Sequence, residues 1–220
     1  MKIVALDSGQ WDEAAKNNLS KAEVVKIVKD SSAKAAELLP TLSQHTNIVV
    51  RQNRNNCLKE TGDHGFAYDS ELLIVQFDPR LPYGKETFIK NFSNTVLHEC
   101  NHAARYAWLF SQRVFEPTIM YAGIHEGLAT AFERDYGSAD PLYGEYKDDT
   151  TMRKWLRELR QADKNGESWK EWGFTRKDGR RWVGYKVGTW IVDRAKEKSN
   201  KNVIELTTIL SKDILKLAEL

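Results

Sequence analysis

Between Val24 and Leu39 the apolar residues Val24, Val25, Ile27, Val28, Ala35, Leu38 and Leu39 recur mainly three and four positions apart, the period of a helix docked by one face. Ser20 and Glu23 form an S-x-x-E capping box ahead of that run, and Pro40 should stop it. The opening KIVAL reads as a short strand. From Thr46 to Asp78 the texture changes to TNIVVRQ and GFAYDSELLIVQFDP, rich in β-branched and aromatic residues and punctuated by Gly62, Gly65 and Pro79. This pattern predicts a small antiparallel sheet.

After Gly84 the chain runs without glycine or proline through KETFIKNFSNTVLHECNHAARYAWLF, which predicts a helix from about Lys85 to about Phe110. A second helix is expected over IMYAGIHEGLATAFERDY, with Pro117 before it and Gly137 ending it. Three further helices are expected over TTMRKWLRELRQAD, WVGYKVGTWIVDRAKEKS and VIELTTILSKDILKLAEL. The fold class is therefore α+β: a sheet-and-helix part over residues 1–82, then a mostly helical part over 83–220, in a single domain.

Composition narrows the partners. Charged residues make up 29% of the chain and the formal net charge is +2, which gives no global reason to expect nucleic acid or a membrane. Two cysteines, Cys57 and Cys100, are too few for a disulfide framework, and a reducing compartment suits them. The start lacks the basic and apolar regions of a signal peptide, and no stretch has eighteen consecutive apolar residues, so a cytoplasmic, soluble protein is expected. The aromatic and basic stretch ESWKEWGFTRKDGRRW reads as a loop flanking a cleft, with its tryptophans packed. The other uses open to it are a surface for acidic substrates and a nucleic-acid surface.

The chemistry concentrates in NTVLHECNHAARYAW, where His98, Glu99 and His102 follow the order H-E-x-x-H inside an expected helix. Residues four apart lie on one helix face, so His98 and His102 can aim two imidazoles at one ion. Hydrolytic zinc takes three protein ligands and leaves one position to water, and Glu99 sits where it can take that water's proton. The third ligand should come from GIHEGLAT, which offers His125 and Glu126. The small residues Ala122, Gly123, Gly127 and Ala129 would let this helix approach closely enough for a short carboxylate to reach, which favours Glu126. Cys100 is nearly opposite His98 around the helix and reads as a packed thiol, while His45 and His64 sit in turn-like sequence and read as surface residues.

H-E-x-x-H followed after 23 residues by E-G-L-A resembles the gluzincin branch of zinc peptidases. More narrowly, VLHECNHAARY, HEGLATAF and GYKVGTWIV, in that order over roughly residues 65 to 195, resemble the bacterial predicted zinc-dependent protease family catalogued as domain of unknown function 2268. The resemblance implies a zincin-like fold, one Zn2+ per chain held by His98, His102 and Glu126, and Glu99 as general base. It also implies an edge strand lining the cleft to pair with an extended peptide, for which ELLIVQFD is the expected segment. The chain departs from many thermolysin-like gluzincins at Thr130, where an acidic residue often orients a histidine. Zincins commonly supply a later Tyr or His to the developing oxyanion. Tyr185 is the expected donor here, with Tyr121 and His125 as rivals and simple packing beside Val183, Val187 and Trp190 as the plain alternative. The expected function is hydrolysis of peptide bonds by a zinc-activated water, acting on a peptide or protein substrate with no membrane or nucleic-acid partner. The alternative is a non-catalytic metal-binding or chaperone-like protein that retains the helix.

Overall fold

The computed structural model describes residues 1–6, 9 and 11–220, and these separate into two compact units. The first comprises residues 1–108 and 136–139, the second residues 109–135 and 140–220.

The first unit is built on strands β1 (Lys2–Ala5), β2 (Asn47–Gln52), β3 (Asp63–Ala67) and β4 (Leu72–Phe77), with helices α1 (Trp11–Lys16), α2 (Lys21–Leu38) and most of α3 (Lys85–Ser111). The capping box expected at Ser20 is formed: the Ser20 hydroxyl accepts from the Glu23 amide and the Glu23 carboxylate accepts from the Ser20 amide. Helix α2 ends at Leu38, ahead of Pro40 as expected.

The sheet has the order β1-β2-β4-β3 and is mixed. β1, β2 and β4 run parallel, and the expected antiparallel pairing occurs between β3 and β4 alone. The β3–β4 hairpin turns on Asp69, whose carboxylate accepts from the amides of Glu71 and Leu72 at 2.7 and 2.9 Å. ELLIVQFD is not at the edge. Its core, β4, pairs on both sides, and the edge next to it is β3. The physical reason lies in the residues: LLIVQF suits a strand enclosed by neighbours, whereas DHGFA carries an aspartate and a glycine that weaken a central strand and are tolerated at an edge.

One sheet face is covered. Ile48, Val50, Leu73, Val75 and Phe77 are buried with Val24, Val28 and Ala35 of α2 and with Phe88, Phe92 and Val96 of α3. Phe77, Phe88 and Phe92 form a ring cluster with centroids 5.0 to 5.6 Å apart, which fixes α3 against β4.

The second unit holds α4 (Ile119–Tyr136, as far as Asp135), a short 3-10 turn at Leu142–Gly144, then α5 (Asp149–Asn165), α6 (Trp169–Gly173), α7 (Val183–Ser199), α8 (Val203–Thr207) and α9 (Ser211–Leu217). Helix α4 is buried almost all round. It meets α7 through glycines spaced four apart on both helices. A Cβ on Gly127 would lie 2.1 Å from the Gly188 carbonyl carbon, and one on Gly188 would lie 1.7 Å from the Gly123 oxygen. The small residues of α4 thus bring its backbone onto α7.

The last expected helix is divided in two. The Glu116 carboxylate accepts from the Ser211 amide at 2.8 Å and the Ser211 hydroxyl at 2.7 Å, so a new helix starts at Ser211. In the tryptophan-rich stretch, Trp172 and Trp182 are buried, the Trp172 indole donates to Glu167 at 3.0 Å, and the Arg176 guanidinium stacks on the Trp172 ring at 3.6 Å. Among the described residues no helix is long and apolar enough to cross a membrane.

Candidate metal centre

Helix α3 carries the H-E-x-x-H residues well inside its ends, so their backbone is fixed by helical hydrogen bonds on both sides. His98, Glu99 and His102 are all buried. The Nε2 atoms of His98 and His102 are 3.1 Å apart, with ring centroids at 4.8 Å, and the His102 ring stacks on Tyr106. Either an N–H···N hydrogen bond or a shared ion accounts for that spacing. Two ligands of a tetrahedral zinc at about 2.0–2.1 Å stand roughly 3.3 Å apart, close to what is seen.

Glu126 lies half-buried on α4, in the second unit. Two imidazoles and a carboxylate are a zinc donor set of known catalytic type, so the residues present fit the ion. The neighbouring His125 is engaged elsewhere: its Nε2 meets Glu116 Oε2 at 2.6 Å, and that carboxylate also holds Ser211.

Glu99 is two turns beyond Phe92, on the side of α3 that packs against the sheet. Its side chain lies against Gly65 of β3, where an added Cβ would be 2.4 Å from Glu99 Cγ and Oε1.

Sequence most of the way along the chain matches one family. The profile of DUF2268, described as a predicted Zn-dependent protease, covers residues 24–216. The chain belongs to the DUF2268 family. No curated protein and no solved structure matches it. For this DUF2268 member, the family description supports a zinc-dependent protease in general terms.

The remaining expected residues are distributed as follows. Tyr185, on α7, is half-buried among the rings of Tyr143, Trp169 and Trp182, at centroid distances of 5.2 to 5.9 Å. Tyr121 is half-buried on α4. Thr130 is fully buried, with its methyl group directed at Gly144. Cys100 is fully buried, and burial pushes its thiol well above the usual range, as a packed thiol requires. His45 is exposed as expected, but His64 is on strand β3, half-buried, with Nδ1 3.1 Å from Gln76 Nε2. Its apparent turn sequence is strand because the ladder to β4 supplies its pairing.

The sequence marks Gly65 only as punctuation between strands, and it does not mark Glu116. A lone glycine inside a strand-like run is a signal for a close approach, and DHGFA contains one. Glu116 carries no local signal, because its partners are 9 and 95 positions away.

Proposed function

We propose that this chain is a gluzincin-like metallopeptidase of zincin-like fold, with one zinc held by His98, His102 and Glu126 and with Glu99 as general base. The observation that carries this reading is the histidine pair: the Nε2 atoms of His98 and His102 lie 3.1 Å apart, with both rings buried on one H-E-x-x-H helix. A zinc ion held there supplies a Lewis acid that polarises the scissile carbonyl and lowers the pKa of an attacking water toward about 7.

The protein groups do the rest. Glu99 takes the proton of the attacking water on a carboxylate oxygen and returns it to the departing amine nitrogen, so no covalent intermediate with the protein is needed. The edge strand β3 offers backbone donors and acceptors to an extended peptide substrate, the role that ELLIVQFD was expected to fill. A phenol hydroxyl can donate to the oxyanion of the tetrahedral intermediate, and we assign that part to Tyr185, with Tyr121 as the rival. His125 is the weaker rival because its Nε2 already meets Glu116. The two free thiols accord with a cytoplasmic setting, and we take a peptide or protein, not a nucleic acid or a membrane, as the partner.

Elemental analysis of the purified protein, with digestion of a peptide library before and after chelation, tests the reading. One zinc per chain and cleavage that chelation abolishes and zinc restores are expected. Zinc retained without cleavage of any peptide would point to a non-catalytic metal-binding protein, and cleavage indifferent to chelation would remove the metal from the mechanism.

A further inference from the structure

The geometry points to Gly65 as a positioning residue for Glu99, an inference that rests on the reading of Glu99 as the general base. A glycine inside a strand weakens it, and the usual reasons for keeping one are a positive φ, a bulge or a close approach. Gly65 is not among the glycines with positive φ. Strand β3 pairs with β4 without interruption from Asp63↔Phe77 to Ala67↔Leu73, so there is no bulge. Close approach is what remains.

The atom approached is identified. A Cβ at position 65 would lie 2.4 Å from Glu99 Cγ, 2.4 Å from Oε1 and 2.7 Å from Cδ, distances that no real pair of such atoms adopts. Strand alternation gives the same direction: Asp63 and Ala67 are buried, whereas Phe66 and Tyr68 are exposed on the other face. Helix α3 cannot retreat to make room, because Phe88 and Phe92 hold it on Phe77 a few turns earlier. A side chain at 65 must therefore turn the Glu99 carboxylate away from the strand. The missing Cβ lets that carboxylate lie against the backbone of the edge strand, beside the peptide that the strand would pair with. Gly65 acts through Glu99. It sets where the base stands.

The test is a double-mutant cycle on the full chain, with Gly65→Ala made alone and in a Glu99→Ala background, which removes the Glu99 Cγ, Cδ and Oε1 atoms that the new Cβ would meet. Melting is followed both with zinc at saturation and after chelation. Gly65→Ala alone should lower Tm by about 5 °C, as overpacking does in a chain of this length. In the Glu99→Ala background the same change should lower it by about 1 °C or less. On peptide substrate Gly65→Ala should lower kcat by at least about ten-fold, with KM within about two-fold and zinc content unchanged. An equal loss of Tm in both backgrounds would overturn the assignment. So would a raised KM with kcat intact, which would mean that the space at Gly65 serves the substrate's backbone. Failure of the base assignment reads differently: Glu99→Gln would then keep wild-type kcat, whatever Gly65→Ala does to Tm.

Discussion

His98 and His102 bring their Nε2 atoms to 3.1 Å of each other, one helical turn apart on α3. Two imidazoles held this way in a buried position are half of a metal site, and the third ligand decides its affinity. Glu126→Ala should weaken zinc binding by more than about 100-fold, beyond the roughly 10- to 100-fold lost when an outer hydrogen-bonding partner is removed. His125→Ala should stay within that lesser range, because His125 Nε2 faces Glu116. Competition with a chelating dye measures both, and the reverse order would exchange the two assignments.

Gly127 and Gly188 let α4 and α7 touch through their backbones. In Gly127→Ala the new Cβ meets backbone atoms at 2.1 to 2.6 Å, so the helices must separate, whereas in Gly123→Ala the nearest atom is the Gly184 oxygen at 3.2 Å. We expect Gly127→Ala to cost about 1–3 kcal/mol or more and Gly123→Ala clearly less. Thermal melting of the two variants tests the order, and equal melting temperatures would contradict the close crossing.

Tyr185→Phe keeps the ring that packs against Tyr143, Trp169 and Trp182 and removes only the hydroxyl. If that hydroxyl serves the oxyanion, kcat falls by about 10²- to 10³-fold while zinc content and Tm change little. Unchanged kcat in this variant, with a fall in Tyr121→Phe, would move the role to Tyr121.

Acid should loosen the first unit through Glu23. Hydrogen bonds from Lys85, and from the Ser20 amide and hydroxyl, hold its carboxyl at about 2 against an ordinary value of 4.5. The folded value is depressed, so the stabilisation is complete above about pH 4.5 and is lost as the pH falls through about 2. The slope of Tm against pH between those values should be shallower in Glu23→Gln than in wild type, and identical slopes would contradict the assignment.

Local signals explain what the sequence could tell. Helices α3 and α4 are legible to within a residue or two because no glycine or proline interrupts the first run and Pro117 and Gly137 punctuate the second. The Ser20 box and the histidine pair are likewise written within four or five residues. Strand order is not local. β4 enters between β2 and β3 because of pairings across the unit, so the edge falls on β3 and not on ELLIVQFD. The break before Ser211 depends on Glu116, 95 positions earlier, and no helical period can reveal it. The glycines of α4 suggest room for a carboxylate when taken locally, whereas in the fold they admit α7, whose own glycines stand 61 positions beyond.

The central claim is that Glu99 acts as a base beside a zinc that it does not bind. Glu99→Gln, with zinc content and peptide turnover measured on the same preparation, tests it most directly. The account predicts one zinc per chain and turnover lowered by about 10²- to 10⁴-fold, since the amide cannot take the proton. A Glu99→Gln protein that cleaves peptide at the wild-type rate, or one that has lost its zinc, would contradict it.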